Sequence, residues 1–218
     1  MNDLLVFLPS LLKGAVITIE LTILSLIIAL VIGLVAAFAR ISHNFIFKQL
    51  ASIYISIIRG TPLLVQLMYI YFVLPELGIK LSAFTSALIG LALYEGAYLA
   101  EIFRAGISSI GKGQLEAAYA IGMNYSMAMR RIILPQAIKN VLPPIGNSAI
   151  LLLKNSSLAA VITVNELMHT GENLATSTFR NIEIFTMVAV IYWLLHYPMN
   201  RLVNSLEKRM SNDSGQRH

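Results

Sequence analysis

Six ionisable side chains fall inside the long apolar stretches of this 218-residue chain: Glu20, Arg59, Glu95, Glu101, Arg104 and Lys154. On insertion scales each costs about 2.5–3.5 kcal/mol at the centre of a bilayer helix, so each needs a partner or a task. Glu101 and Arg104 stand three apart, the spacing at which side chains meet on one helix face, and are expected to pair. Arg59 precedes Gly60-Thr61-Pro62. Proline frees carbonyls and glycine permits an unwound backbone, so the guanidinium there either grips a carboxylate ligand bidentately or pairs with Glu95 or Glu101. Lys154 is followed by Asn155, Ser156 and Ser157, a cation with three short hydrogen-bonding side chains that suits a zwitterion or binds helix to helix. A zwitterion needs both signs near it, and Arg59 or Lys154 with Glu95 supplies them, while Thr61, Gln66, Tyr94 and Tyr98 add hydrogen bonds and apolar walls. Glu20, near the end of its stretch, is expected to snorkel.

The elements that carry these groups must be membrane helices. Hydrophobic residues make up 57% of the chain and charged ones only 12%, against about a quarter in soluble proteins. Mean hydropathy is +0.73. With no cysteine there is no disulfide, thiolate nucleophile, Cys-ligated zinc or iron–sulfur cluster. The four histidines are scattered, the aspartates Asp3 and Asp213 are terminal, and no HExxH or G-x-x-x-x-G-K-[ST] run occurs, so neither an intramembrane enzyme nor an ATP site of its own is expected. No basic patch interleaved with aromatics is present, which excludes nucleic acid as a partner.

An all-α bundle of five spans is predicted, at 15–39, 49–74, 81–107, 137–164 and 184–206, the second broken at Arg59-Gly60-Thr61-Pro62. Residues 1–14 read as an external segment, 15–207 as the transmembrane domain with a cytoplasmic loop at 111–135, and 208–218 as a polar cytoplasmic tail that frays. Counting basic residues sets the orientation. Arg40, Lys48, Arg104, Lys112, Arg130, Arg131, Lys139, Arg201, Lys208, Arg209 and Arg217 fall on one side, and Lys13, Lys80 and Arg180 on the other. The richer side is cytoplasmic, so the N-terminus is outside and the C-terminus inside. Tyr192 and Trp193 are expected to pack between helices and His196 to be a hydrogen-bonded core histidine. The outer loop 164–183, with Glu166, Glu172 and Glu183, reads as a docking or simply solvated segment.

The cytoplasmic loop carries the most specific signal. Leu115, Ala118, Tyr119 and Met123 form one apolar face of a short helix closed by Gly122. Glu116-Ala117-Ala118, then three residues, then Gly122, then Ile133-Leu134-Pro135 resembles the EAA loop of ABC importer permeases. Further stretches resemble the polar amino-acid subfamily of those permeases: Arg59 to Gln66, Ala97 to Ile102 with Arg104 and Gly106, Gly113-Gln114, Gln136-Ala137, Pro143-Pro144 with Asn147, and Lys154 to Leu158. Asn155 departs from the pattern where threonine is frequent, and Glu95 where a neutral residue is usual.

That resemblance implies a permease subunit of a type I ABC importer in the bacterial plasma (inner) membrane, moving polar amino acids inward by alternating access. Two carboxylates lining the cavity beyond what Arg59 and Lys154 neutralise would favour a basic one. It implies a second permease subunit, identical or related, a cytoplasmic ABC ATPase dimer that holds ATP and Mg, and an external amino-acid-binding protein. No cofactor is expected on this chain. Glu116, Ala117, Ala118, Gly122, Leu134 and Pro135 are then the coupling residues, with the apolar face seated in the ATPase. The substrate pathway would take Arg59, Thr61, Gln66, Glu95, Tyr98, Glu101, Lys154, Asn155, Ser156 and Ser157. A self-contained channel or ion-coupled transporter in the same lipid surroundings is the rival reading.

Overall fold

The structure, a computed structural model, describes residues 2–215, and within them it is helical with no strand. Met1 and residues 216–218, at the ends of the expected external segment and polar tail, lie outside the described residues. Helix α1 (Asn2–Ile41) starts well before the predicted span at 15. Leu11, Ala15, Thr18, Thr22, Ser25, Ala29, Gly33 and Ala36 recur every three or four residues as one buried stripe, so the helical pattern already exists before Gly14. The expected external segment is therefore helical and continuous with the first span, as far as it is described.

Helices α1 and α4 (Ala83–Ser108) form the main seam of the bundle. Small residues make it possible. A Cβ at Gly33 would sit 2.7 Å from Leu99 Cβ, and one at Gly96 would sit 2.8 Å from Ile32 Cγ2. In lipid, where apolar burial gives no advantage between helices, such close approach supplies the dispersion contacts that hold them.

The second span breaks where expected, but much more sharply than a kink. Helix α2 (Phe45–Gly60) ends at extended Thr61 and Pro62, and α3 (Leu63–Met68) leaves at an angle of 104° to it. The residue before a proline is pushed out of the helical region, which sets the corner. Gln66 then closes it: its Nε2 donates to Ile58 O at 2.8 Å, Thr61 O at 3.1 Å and Thr61 Oγ1 at 2.9 Å. A π turn (Tyr69–Val73) and a 3-10 turn (Leu74–Leu77) complete this arm. Leu63 and Leu67 bury against Leu21, Leu91, Leu152 and Ile162.

After the short α5 (Lys112–Ala120), the chain is helical without interruption from Tyr125 to Ile162. This run comprises α6 (Tyr125–Ala128), a π turn (Met129–Ile133), α7 (Leu134–Asn155) and a 3-10 turn (Ser156–Ile162). The helix that carries the fourth span thus begins ten residues before Pro135, within the stretch 111–135. Pro135 follows directly on the π turn, over which Leu134 N–H reaches back to Met129 O, so the run absorbs the missing donor where its hydrogen-bond register already shifts. The outer segment 164–183 is also not a loop: it contains α8 (Leu167–Thr178), packed between α1 and α9 (Asn181–Gly215). Four apolar helices and the bent α2–α3 pair make up to five spans.

Candidate substrate pathway and coupling loop

The end of α2 and the middle of α4 bring Arg59 and Tyr98 together. The Arg59 Cζ lies 5.0 Å from the Tyr98 ring centroid, a cation–π stack. Tyr94 sits one turn earlier, its hydroxyl donating to Tyr98 Oη at 3.2 Å. Arg59 forms no ion pair with Glu95 or Glu101, because Glu101 is already engaged. Arg104 donates to Glu101 Oε2 from Nε at 3.0 Å and Nη2 at 2.8 Å, as the i, i+3 spacing predicts. Arg40 comes within 3.9 Å of the other oxygen and donates to Ser52 Oγ.

Glu95, one residue beyond Tyr94, turns into the α4–α7 seam and is 3% exposed. Ser148 is its hydrogen-bonding neighbour, and Oε1 has no partner. Thr61 and Gln66, predicted to face a ligand, spend their polar atoms on the α2–α3 corner: Thr61 Oγ1 donates to Ile57 O at 2.9 Å. Lys154 is on a different face. It lines a groove of about 500 Å³ with Ser157, Met168, Tyr192, Trp193 and His196, to which neither Arg59 nor Glu95 contributes. The residues after it tighten the helix into its 3-10 turn: Ser156 Oγ donates to Leu153 O at 2.8 Å and Ser157 Oγ to Lys154 O at 2.7 Å. Asn155 is half-buried at that transition.

Two expectations for α9 fail. Trp193 is 58% exposed on the groove's lip instead of packed between helices, and His196 Nδ1 is buried without a hydrogen bond. Tyr192, however, turns inward to a group that sequence reasoning missed. Glu166 is fully buried and caps α8, accepting from His169 N–H at 2.8 Å, Tyr192 Oη–H at 2.8 Å and Thr18 Oγ1–H at 3.2 Å. Thr18 Oγ1 in turn accepts from Leu167 N–H at 3.1 Å. Burial holds the Glu166 carboxyl above the ordinary carboxylate range, although the donors around it pull the other way. The one available signal was its place just before the spaced apolar residues Leu167, Gly171 and Ala175, but glutamate is not a favoured cap.

The loop folds as a compact corner. Gly122 takes φ +82°, Gly122 N–H bonds Tyr119 O at 3.0 Å and Met123 N–H bonds Ala118 O at 3.0 Å, the paired closure of a Schellman motif. Asn124 then caps the long helix, its Oδ1 accepting from Met127 N–H at 2.9 Å. Ala118 is fully buried against the chain's own π turn, with Leu115 and Met123 half-buried beside it. Of the apolar face expected to seat in a partner, Ala118, Leu115 and Met123 thus pack inward, while Tyr119 stays 47% exposed. Glu116, Ala117 and Ile121 are left exposed, as is Pro135, while Leu134 is half-buried. Among the described residues no three His, Asp or Glu side chains gather closely enough to hold a metal ion.

Residues 29–212 match the family model described as binding-protein-dependent transport system inner membrane component. The chain is 40% identical to the glutamine transport system permease protein GlnP of Escherichia coli (strain K12) over 204 residues, covering 93% of each chain. It is 38% identical to the arginine transport system permease protein ArtQ of Bacillus subtilis (strain 168) over 207 residues, covering 94% of each. Among solved structures, a crystal structure of an amino acid ABC transporter with histidines superposes with a TM-score of 0.92 at 39% identity, over 95% of this chain and 97% of that one. The methionine ABC transporter MetNI in an inward-facing form shares the fold at a TM-score of 0.72 and 19% identity, over 90% of this chain and 96% of that one. On these matches the chain belongs to the binding-protein-dependent transport system inner membrane component family, as a multi-pass type I ABC permease subunit among its amino-acid permeases.

Proposed function

We propose that this chain carries polar amino acids inward, with Arg59, Tyr98 and Glu95 on the pathway and Glu116 to Gly122 as the contact with the ATPase. The observation that carries the first part is the buried Glu95 carboxyl with one oxygen unpartnered, three residues along α4 from the Tyr98 ring on which the Arg59 guanidinium stacks. A zwitterion offers an ammonium to the one and a carboxylate to the other. Relatives named for glutamine and for arginine support a polar or cationic cargo. Lys154 to Ser157 form a second polar stretch on the groove beside α9, reached by the substrate at another stage of the cycle. Thr61 and Gln66 act by shaping the corner beneath Arg59, and Glu101 by fixing Arg104.

ATP and Mg reside on a cytoplasmic ATPase dimer, a second permease subunit, identical or related, completes the pathway, and an external binding protein delivers the cargo. The basic-residue count supports an outside N-terminus and a cytoplasmic α5. On this orientation residues 15–207 are the transmembrane domain and 208–218 a cytoplasmic tail. Uptake of radiolabelled substrates by the assembled transporter tests the pathway: Glu95→Gln is expected to lower arginine uptake relative to glutamine uptake, and an unchanged ratio removes Glu95 from charge selection. Gly122→Asp cannot take the left-handed turn cheaply and is expected to abolish ATP-driven uptake with membrane insertion intact. Wild-type uptake by that variant would count against coupling through the corner.

A further inference from the structure

From its Asn124 cap inward, the long helix presents one continuous stripe that changes character partway along. Asn124, Ser126, Met127, Arg130 and Arg131 line a polar groove of about 550 Å³. One turn further on, Leu134, Ile138 and Val141 enter an apolar groove of about 480 Å³ completed by Leu34 and Phe38 of α1 and Phe103 of α4. The apolar cleft exists because α4 and α7 cross closely at Gly106, where a Cβ would lie only 2.1 Å from Val141 Cγ1. Arg130 and Arg131 are exposed, and neither has an acidic partner among the described residues. Asn124 spends its Oδ1 on the helix cap, which leaves its amide N–H groups to donate.

The geometry points to a binding site for one anionic glycerophospholipid. Two adjacent guanidiniums match a phosphodiester, which they hold by paired charge-assisted hydrogen bonds. The rise from Arg131 to Val141 is roughly 15 Å, the depth of one leaflet, so a lipid whose phosphate meets the arginines has its acyl chain alongside the apolar groove. A free phosphate or an acidic protein segment would satisfy the arginines and leave that groove uncovered. A choline headgroup brings its own cation beside the arginines, whereas a glycerol headgroup does not.

Native mass spectrometry of the purified full-length chain, titrated with dioleoyl phosphatidylglycerol or dioleoyl phosphatidylcholine, tests this. The wild type is expected to retain one phosphatidylglycerol in preference to phosphatidylcholine, with inorganic phosphate unable to displace it. Arg130→Gln with Arg131→Gln is expected to weaken that binding roughly thirtyfold. Arg130→Lys with Arg131→Lys keeps the charge and is expected to lose much less. Leu34→Trp, which fills the apolar groove and keeps both arginines, is expected to lose the lipid as well. Equal retention of the two lipids, unchanged binding in the Gln or Trp variants, or displacement by inorganic phosphate would each overturn the assignment. So would loss of ATPase association in the Gln variant with lipid binding intact, which would give the stripe to the protein partner.

Discussion

Glu95 and Glu166 are both withdrawn from solvent, at 3% and 0% exposure, yet they are built in opposite ways. Glu166 is enclosed by three donors from three elements, Thr18 on α1, the His169 N–H of α8 and Tyr192 on α9. Glu95 has Ser148 beside it and an oxygen with nothing to accept. A buried carboxylate with both oxygens engaged makes neighbouring elements depend on one another, whereas one left short stores an unmet demand that a ligand can satisfy. The difference separates a carboxylate that holds the bundle together from one available to cargo, in a chain where hydropathy alone treats them alike.

Removing the enclosed carboxylate should therefore have the largest effect on stability. Glu166→Ala leaves the Tyr192 hydroxyl and the His169 N–H of α8 unpaired in a buried site, and is expected to cost about 3 kcal/mol, a fall of roughly 6–12 °C in melting temperature in detergent. An unchanged melting point would make the two glutamates equivalent and break the contrast. The pH dependence is a smaller effect. Because burial raises the Glu166 carboxyl in the folded state, its stabilising contribution is complete below the unfolded value and is lost as pH rises through the folded one. The melting-temperature advantage of the wild type over Glu166→Gln should thus shrink as pH rises above the ordinary carboxylate range, and a widening gap would reverse the assigned sign. The smallest effect is expected at the other carboxylate. Glu95→Gln keeps the shape and a hydrogen-bonding group beside Ser148, so its melting temperature should stay within about 2 °C of the wild type while its substrate preference changes. A large destabilisation there would mean that Glu95 holds helices together as Glu166 does.

Local chemistry was readable from the sequence, and direction across the bundle was not. The corner at Thr61 and Pro62, the Glu101–Arg104 pair and the turn at Gly122 each depend on residues within a few positions of one another, so spacing suffices to find them. Its sharpness at 104° was missed because it depends on how Leu63 and Leu67 bury against three other helices. Lys154 and Arg59 looked like one ligand site because both are cations in mid-span, but α7 turns Lys154 toward α9. Glu166 was hidden by its context: among Glu172, Glu183 and several hydroxyl residues, nothing marks the one that α1 and α9 enclose. The inward-facing Ala118 shows the same limit, since an apolar face on a short helix can serve its own chain or another.

The corner after α5 has a mechanical consequence. Hydrogen bonds close residues 118–123, and the Asn124 cap closes the next turn onto a helical run of 38 residues, Tyr125–Ile162. No residue between the two helices is left without a local tether. A push on α5, were the ATPase to deliver one, would have no slack to take up there and would pass into a helical run roughly 57 Å long. Its far half passes Lys154 and Ser156 before ending beside Glu166. On the coupling role proposed for α5, a displacement at Glu116 would be geared to the polar stretch at Lys154 through the closed turn at Gly122.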